Sequence, residues 1–312
     1  MTHRLNALLL ALAVLVGLPY YWLVLANPAR DVPRYPLTIQ ALRNLSDEMH
    51  GARPTGLTVY YTAWRRLPGN LYAAGSGMKR RQFGVLAWRL DVPGRGPILI
   101  DSGTTPTLAQ AMDGEAFSAD IQAALDRELV GASLILATNE RPQHLGGLAA
   151  LARRPASAMA LSRARLNPAQ VPGAPSSAGA GWPPTLVLRP AIAGKAPQAV
   201  APGVVVIPTG TPTPGSQMIF VRLASGREYL LPGDVAPYAT SYRELRLRSN
   251  LLDYGADRAM RTAQMRWLVT LRALRRSAPG LIILPAHDID WINDPESHIG
   301  PIAKGEAAAG TS

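Results

Sequence analysis

Near the start of the chain, Leu5 to Ala26 read LNALLLALAVLVGLPYYWLVLA, an apolar run interrupted only by Asn6. About 20 residues of helix cross the hydrocarbon layer. The run therefore predicts a single-pass anchor, with Pro19 tolerated near one end and Tyr20, Tyr21 and Trp22 at headgroup level. A cleaved signal peptide is the competing reading, since Val24 and Ala26 put small residues where a signal peptidase cuts. Beyond the run the pattern changes period. Residues 27–36, NPARDVPRYP, show no apolar repeat and read as a linker. Ile39, Leu42, Leu45 and Met49 recur at three and four, one face of a helix.

GLTVYYTAW (56–64) and FGVLAWRLDV (83–92) carry the β-branched and aromatic content of strands. GPILIDSGTTP (96–106), SLILAT (133–138), VVVIPTG (204–210) and LIILPAHD (281–288) are short apolar runs closing in polar or loop-forming residues, the signature of buried strands. SQMIFVRLASGREYLLPGD (216–234) reads as two strands joined at Ala224 to Gly226. Helices are expected around Ile121, Leu125 and Leu129, from Leu145 onward, and along Met260, Ala263, Trp267, Leu271 and Leu274. Residues 167–184, NPAQVPGAPSSAGAGWPP, read as a long surface loop or flap. The chain thus divides into an anchor (1–26), a linker (27–36) and one domain (37–312). Its strands end on Asp101, Asn139, Asp234 and His287, and lying side by side they would converge on one cleft.

Composition alters this picture little: at 312 residues and 47% apolar, a packed core is ordinary. Charge adds a bias, because a net +11 favours anionic lipid, nucleic acid or acidic ligands. Small basic clusters at Lys79 to Arg81, at Arg243, Arg246 and Arg248, and at Arg272, Arg275 and Arg276 read as solvated faces. They lack interleaved aromatics or any zinc-finger or RNA-binding signature, so no specific nucleic-acid partner is expected. With no cysteine, disulfides, thiolate metal sites and a Cys nucleophile are excluded. The chain also lacks a Gly-x-Ser-x-Gly elbow and a phosphate-binding Gly-x-x-x-x-Gly-Lys.

LIDSG, TNERPQHLGG, TGTPTPGSQM, LLPGD and LPAHD follow one another over roughly residues 56–290. In that order they resemble the metallo-β-lactamase fold superfamily, nearest its lactonase-like and general hydrolase branch. The resemblance implies an α+β fold, an αββα four-layer sandwich with a dinuclear metal site at one edge. Members bind two metals through a His-x-His-x-Asp-His loop, a later His before a Thr-Pro-Gly-Ser turn, a bridging Asp and a final His. Laid on that pattern, this chain has Asn139, Arg141, Gln143 and His144 in the loop, Pro212 before the turn, then Asp234 and His287.

Zinc needs imidazole, thiolate or carboxylate donors, usually three from protein in a catalytic site. Asn139 is a poor donor, Pro212 offers none, and Arg141 brings a permanent positive charge. A two-metal site is therefore not expected. His144, Asp234 and His287, with Gln143 as a weak ligand in place of the usual carboxylate, can hold at most one Zn²⁺, Fe²⁺ or Mn²⁺. Loss of the other cation leaves negative charge to neutralise, and Arg141 is expected to take Asp234 or Asp101 in a forked pair. Plain structural roles stand beside these. His144 reads equally as a buried histidine by Gly146 and Gly147, Asp234 as a loop cap, and His287 as a partner of Asp288, Asp101 or Asp234. His3, His50 and His298 lie outside every motif and read as structural or exposed.

Three functions follow, in this order. The first is a membrane-tethered pseudoenzyme that binds a small-molecule ligand or a partner in the old cleft. A mononuclear metal-dependent hydrolase of lactone- or ester-type substrates comes second, with Asp234 able to act as base. Third is an interaction protein working through its basic surface at the membrane. The anchor is expected in the inner membrane with the domain on the extracytoplasmic side, although Arg30, Arg34 and Arg43 outnumber Arg4 and charge bias alone would place the domain inside.

Overall fold

The computed structural model describes residues 2–299 except Ala29 and Tyr254, so the end of the domain expected to run to 312 lies outside the described residues. Among the described residues, ten strands form two mixed sheets. The first takes β1 (Gly56–Pro68), β2 (Arg80–Asp91), β3 (Ile98–Ile100), β4 (Ala116–Phe117) and β5 (Leu134–Leu136), in the order β4-β1-β2-β3-β5. The second takes β6 (Gln198–Ala201), β7 (Val204–Pro208), β8 (Gln217–Arg222), β9 (Glu228–Leu231) and β10 (Leu281–Ile283), in the order β10-β9-β8-β7-β6. Pairing is antiparallel except for β3 with β5 and β9 with β10.

The short apolar runs are strands because each has two faces to bury. Side chains alternate with period two. Val204, Val206, Ile219, Val221 and Leu231 therefore point between the sheets, against Leu86, Trp88, Leu90, Ile98, Ile100 and Leu136. Their neighbours Val205, Ile207, Met218, Phe220 and Leu230 point the other way, onto Leu42 of the helix Ile39–Glu48 and Met265, Leu268 and Leu271 of the helix Arg258–Ser277. On the far side, Ala87, Leu99 and Ile135 meet the helices Ala119–Gly131 and Pro142–Leu151 through Leu125, Leu129, Leu145 and Leu148. Helix, sheet, sheet, helix: the α+β four-layer sandwich is the one the motifs imply. Thr38 and Ser118 cap two of the helices, accepting from Ala41 N and Ile121 N.

Two expectations need correction. The helix expected from Leu145 starts at Pro142, whose fixed φ and missing N–H suit a first helical position. Gln143 and His144 thus lie in a helical first turn, not in a loop. Residues 167–184 are an irregular surface loop, as expected, but not a free flap, because part of the loop is pinned to the domain. Asn167, Gln170 and Ser177 are buried. The Asn167 amide donates to Gly215 O and Gln217 Oε1, and that of Gln170 donates to Ala137 O and Gly215 O. Side-chain amides supply hydrogen bonds that a composition rich in Pro, Gly and Ala does not advertise. Strand β6 also escaped the apolar pattern, its outer positions being only half-buried.

Thr2–Tyr20 is α-helical and Tyr21–Leu25 continues it as a wider π turn just after Pro19. Within His3–Leu25 an 18-residue stretch has a mean hydropathy of 2.3 and none of that stretch is buried, so this helix is long and apolar enough to cross a membrane. Val32, Pro33 and Tyr35 of the segment 27–36 lie against the domain. Tyr35 stacks on Trp267 at 4.2 Å, and its N–H donates to Thr270 Oγ1 at 2.9 Å.

Gly147 shows how tightly the layer beside the site is packed: a Cβ there would sit 1.9 Å from Ser102 O. That contact is backbone and cannot swing away. Gly147→Ala is expected to destabilise the domain by about 1–3 kcal/mol, read as a lower urea midpoint at unchanged slope. An unchanged midpoint would refute the close approach.

Candidate metal centre

Four polar ends meet at the edge of the two sheets. Asp101 follows β3 directly with a left-handed φ of 63°, a conformation that costs most residues about 1–2 kcal/mol and Asp less. Its buried carboxylate is held from β5, where Thr138 donates through N–H at 2.7 Å to Oδ1 and through its hydroxyl at 2.8 Å to Oδ2. Asp101 Oδ2 in turn accepts from His144 Nδ1 at 2.9 Å. Asp234 sits in the 3-10 turn Gly233–Val235 after β9, and His287 four residues beyond β10.

His287 is oriented by a backbone group that sequence reasoning missed. Strand β3 pairs only with Trp88 to Leu90, which leaves the Phe83 and Gly84 edge of β2 open. The chain at His287 and Asp288 bridges to that edge, and Gly84 O accepts from His287 Nδ1 at 2.7 Å. Phe83 stacks on the same ring at 3.9 Å. Nothing local to residue 84 marks such a role; it follows from one strand being shorter than its neighbour.

With both Nδ1 atoms donating, both Nε2 atoms face a single carboxylate oxygen. His287 Nε2 lies 2.8 Å and His144 Nε2 3.3 Å from Asp234 Oδ1. The three donors fall within 4.8 Å of one another, all buried. Burial pushes the His144 imidazolium pKa down, but Asp101 and Asp234 at its two nitrogens outweigh this and raise it to about 10. Burial opposes the Asp234 charge too, yet His144 and His287 hold its pKa well below the usual carboxylate range. Burial wins for His287, which is pushed below the ordinary imidazole value. A neutral His287 with its proton on Nδ1 therefore presents a lone pair to an ionised carboxylate. Such a contact needs a proton or a cation between the two atoms.

Arg141 turns toward this centre, with Nη1 3.6 Å from Asp234 Oδ2 and its side chain 30% exposed. Asp234 is the partner, not Asp101. The contact is a single ion pair beyond hydrogen-bond range, which corrects the expected fork, and Asp234 Oδ2 is left without a hydrogen-bond partner. Gln143 is buried in the turn before His144, and no hydrogen bond to its amide occurs among the described residues. Asn139 serves the neighbouring loop, donating to Thr213 Oγ1 and Ser216 Oγ, both at 2.9 Å. Glu140, unremarked in the sequence, is buried beside it and accepts from Thr213 Oγ1 at 2.8 Å; burial raises its pKa. One basic cluster also needs revising, since Arg248 is half-buried in an ion pair with Asp253 and does not lie on a fully solvated face.

No family model and no curated protein matches the chain. Solved structures do. A crystal structure of a quorum-quenching N-acyl homoserine lactone lactonase superposes with a TM-score of 0.59 at 18% identity, covering 78% of this chain and 96% of that one. An N-acyl homoserine lactone hydrolase with the product N-hexanoyl-L-homoserine at its catalytic metal centre gives 0.57 at 17%, covering 77% and 95%. A probable metal-dependent hydrolase from Staphylococcus aureus gives 0.54 at 12%, covering 77% and 91%. The chain has the metallo-β-lactamase fold. Within that fold, the structures it is similar to are metal-dependent hydrolases, at identities that establish the architecture alone.

Proposed function

We propose that the domain is a mononuclear metal-dependent hydrolase, with His144, Asp234 and His287 as the protein ligands and Gln143 as a weak one. The observation that carries this is the His287–Asp234 contact. A proton on Nδ1, held by Gly84 O, leaves Nε2 unprotonated 2.8 Å from Asp234 Oδ1. Metal-binding histidines are oriented in the same way, donating the far N–H to a carboxylate or a backbone carbonyl. Asp101 and Gly84 provide one of each. Two imidazoles and a carboxylate form a donor set that suits Zn²⁺ with a position left open.

A divalent ion there supplies Lewis-acid polarisation of a carbonyl and lowers the pKa of water. The protein's own groups do the rest. Asp234 Oδ2, free of any hydrogen bond, accepts the proton of an attacking water. The Arg141 guanidinium stabilises charge developing on a carbonyl oxygen. The hydrolases of similar fold suggest a lactone or ester as substrate, and the N-terminal helix tethers the domain to a membrane.

One observation favours a pseudoenzyme instead. Without metal, the Asp101 and Asp234 charges are matched by Arg141 and a protonated His144. Zinc titration of the metal-free chain, following hydrolysis of N-hexanoyl homoserine lactone and an aryl ester, separates the two readings. Activity is expected to rise to one equivalent and stop, and Arg141→Ala to lower kcat by about 10²-fold with zinc still bound. A chain that binds zinc and hydrolyses neither substrate would defeat the hydrolase reading.

A further inference from the structure

The last carbonyls of a helix lack partners within it, and here the domain provides them. Asn250 Nδ2 donates to Trp22 O at 2.6 Å and Leu251 N to Leu23 O at 2.9 Å. Just beyond, Asn27 Nδ2 donates to Ala74 O while Asn27 Oδ1 accepts from Leu247 N, both at 2.9 Å. The two receiving loops are tied together by Ala74 N to Leu247 O and Ser249 N to Leu71 O, both 2.8 Å. The foot of the helix is thus bolted into loops 69–79 and 246–252. It does not end in a free tether.

Around that foot the domain exposes large apolar side chains: Met78 at 61%, Leu251 at 50% and Leu252 at 38%. Met78 and Leu251 adjoin the helix directly: the Tyr20 hydroxyl contacts Met78 Sδ at 3.6 Å, and Leu251 N donates to Leu23 O. Lys79 and Arg80 are exposed beside Met78. Apolar side chains rimmed by cations, continuous with a membrane-length helix, match the layer where acyl chains give way to anionic headgroups.

We propose that these loops form a collar seated in the headgroup layer, with Met78, Leu251 and Leu252 dipped into lipid and Lys79 and Arg80 against anionic headgroups. The proposal rests on the N-terminal helix being a span. Tyr72, two residues before Ala74, stacks on Phe83 at 4.5 Å, and Phe83 stacks on His287. A stack of rings, Tyr72 on Phe83 on His287, therefore connects the collar to the candidate metal centre.

The absence of cysteine makes a direct test possible. Single cysteines replace Val14, Met78, Leu251 or, as an aqueous control, Val187, which is 83% exposed. Each full-length variant is nitroxide-labelled and placed in nanodiscs of phosphatidylcholine and phosphatidylglycerol. Collisions with oxygen and with an aqueous nickel chelate then report depth. The expected result is a Val14 label deep in lipid, and Met78 and Leu251 labels that lose nickel access relative to Val187. Deep Val14 with Met78 and Leu251 as open to nickel as Val187 would overturn the collar and leave a loose tether. A Val14 label open to nickel would overturn the span, and the collar with it.

Discussion

His287→Ala will take bound zinc from one equivalent per chain to less than about a tenth of one, because three good protein donors are the usual minimum for a catalytic site and only two, with Gln143 as a weak third, will remain. The measurement is elemental analysis of full-length chain purified without chelator and equilibrated with zinc, with circular dichroism to verify the fold. The effect should be large for a second reason. Removing the ring also removes the Gly84 contact that fixes its direction, and contacts of that kind are worth roughly 10- to 100-fold in metal affinity on their own. His144→Ala should behave alike, since it removes one donor and with it the link from Asp101 to the centre. Wild-type chain carrying no metal would refute the mononuclear hydrolase and leave the charge-matched pseudoenzyme. Two equivalents would refute the loss of the first site.

Stripped of metal, the chain will become less stable as pH rises from 6.5 toward about 10, the ordinary and the folded values for His144. The folded value is the higher one. Stabilisation from the imidazolium is therefore complete below 6.5, shrinks through the window and is gone above it, at up to about 1.4 kcal/mol per pH unit. Asp234 acts in the opposite sense: its pKa is depressed, so its contribution is present above 3.8 and is lost as pH falls below that. Zinc reverses the first trend, because it binds deprotonated imidazoles and its affinity rises over the same window. Urea midpoints at about pH 6 and about pH 9, with and without zinc, test both statements. Metal-free stability that stays flat between them would show that His144 does not carry the compensating charge.

Much of the sandwich was legible as pattern. Runs such as VVVI and LIIL are too short for helices and too apolar for a one-sided strand, so they read as strands buried on both faces; VVVI is, while LIIL, at a sheet edge, leaves Ile282 half-buried. The helix over Arg258–Ser277 was equally plain from its three-and-four repeat. Where local pattern misled, polar groups found distant partners. Asn167 and Gln170 pin a stretch of loop-like composition beneath the Gly215 turn. Arg248 looks like surface charge until Asp253 is seen beside it.

The centre divides along the same line. Residue identities alone determined which donors exist, and Asn139, Arg141 and Pro212, poor or absent donors for zinc, are why no first zinc site is expected. They also determined a hydrophobic stretch of membrane length and the succession of strands. Only the tertiary structure decided where each imidazole keeps its proton: His144 against Asp101, His287 against the carbonyl of a glycine some two hundred residues earlier in the chain. It alone chose Asp234 over Asp101 for Arg141. A proton's position depends on the nearest acceptor in space, and that acceptor is supplied by strand lengths and sheet edges, which no local stretch of sequence records.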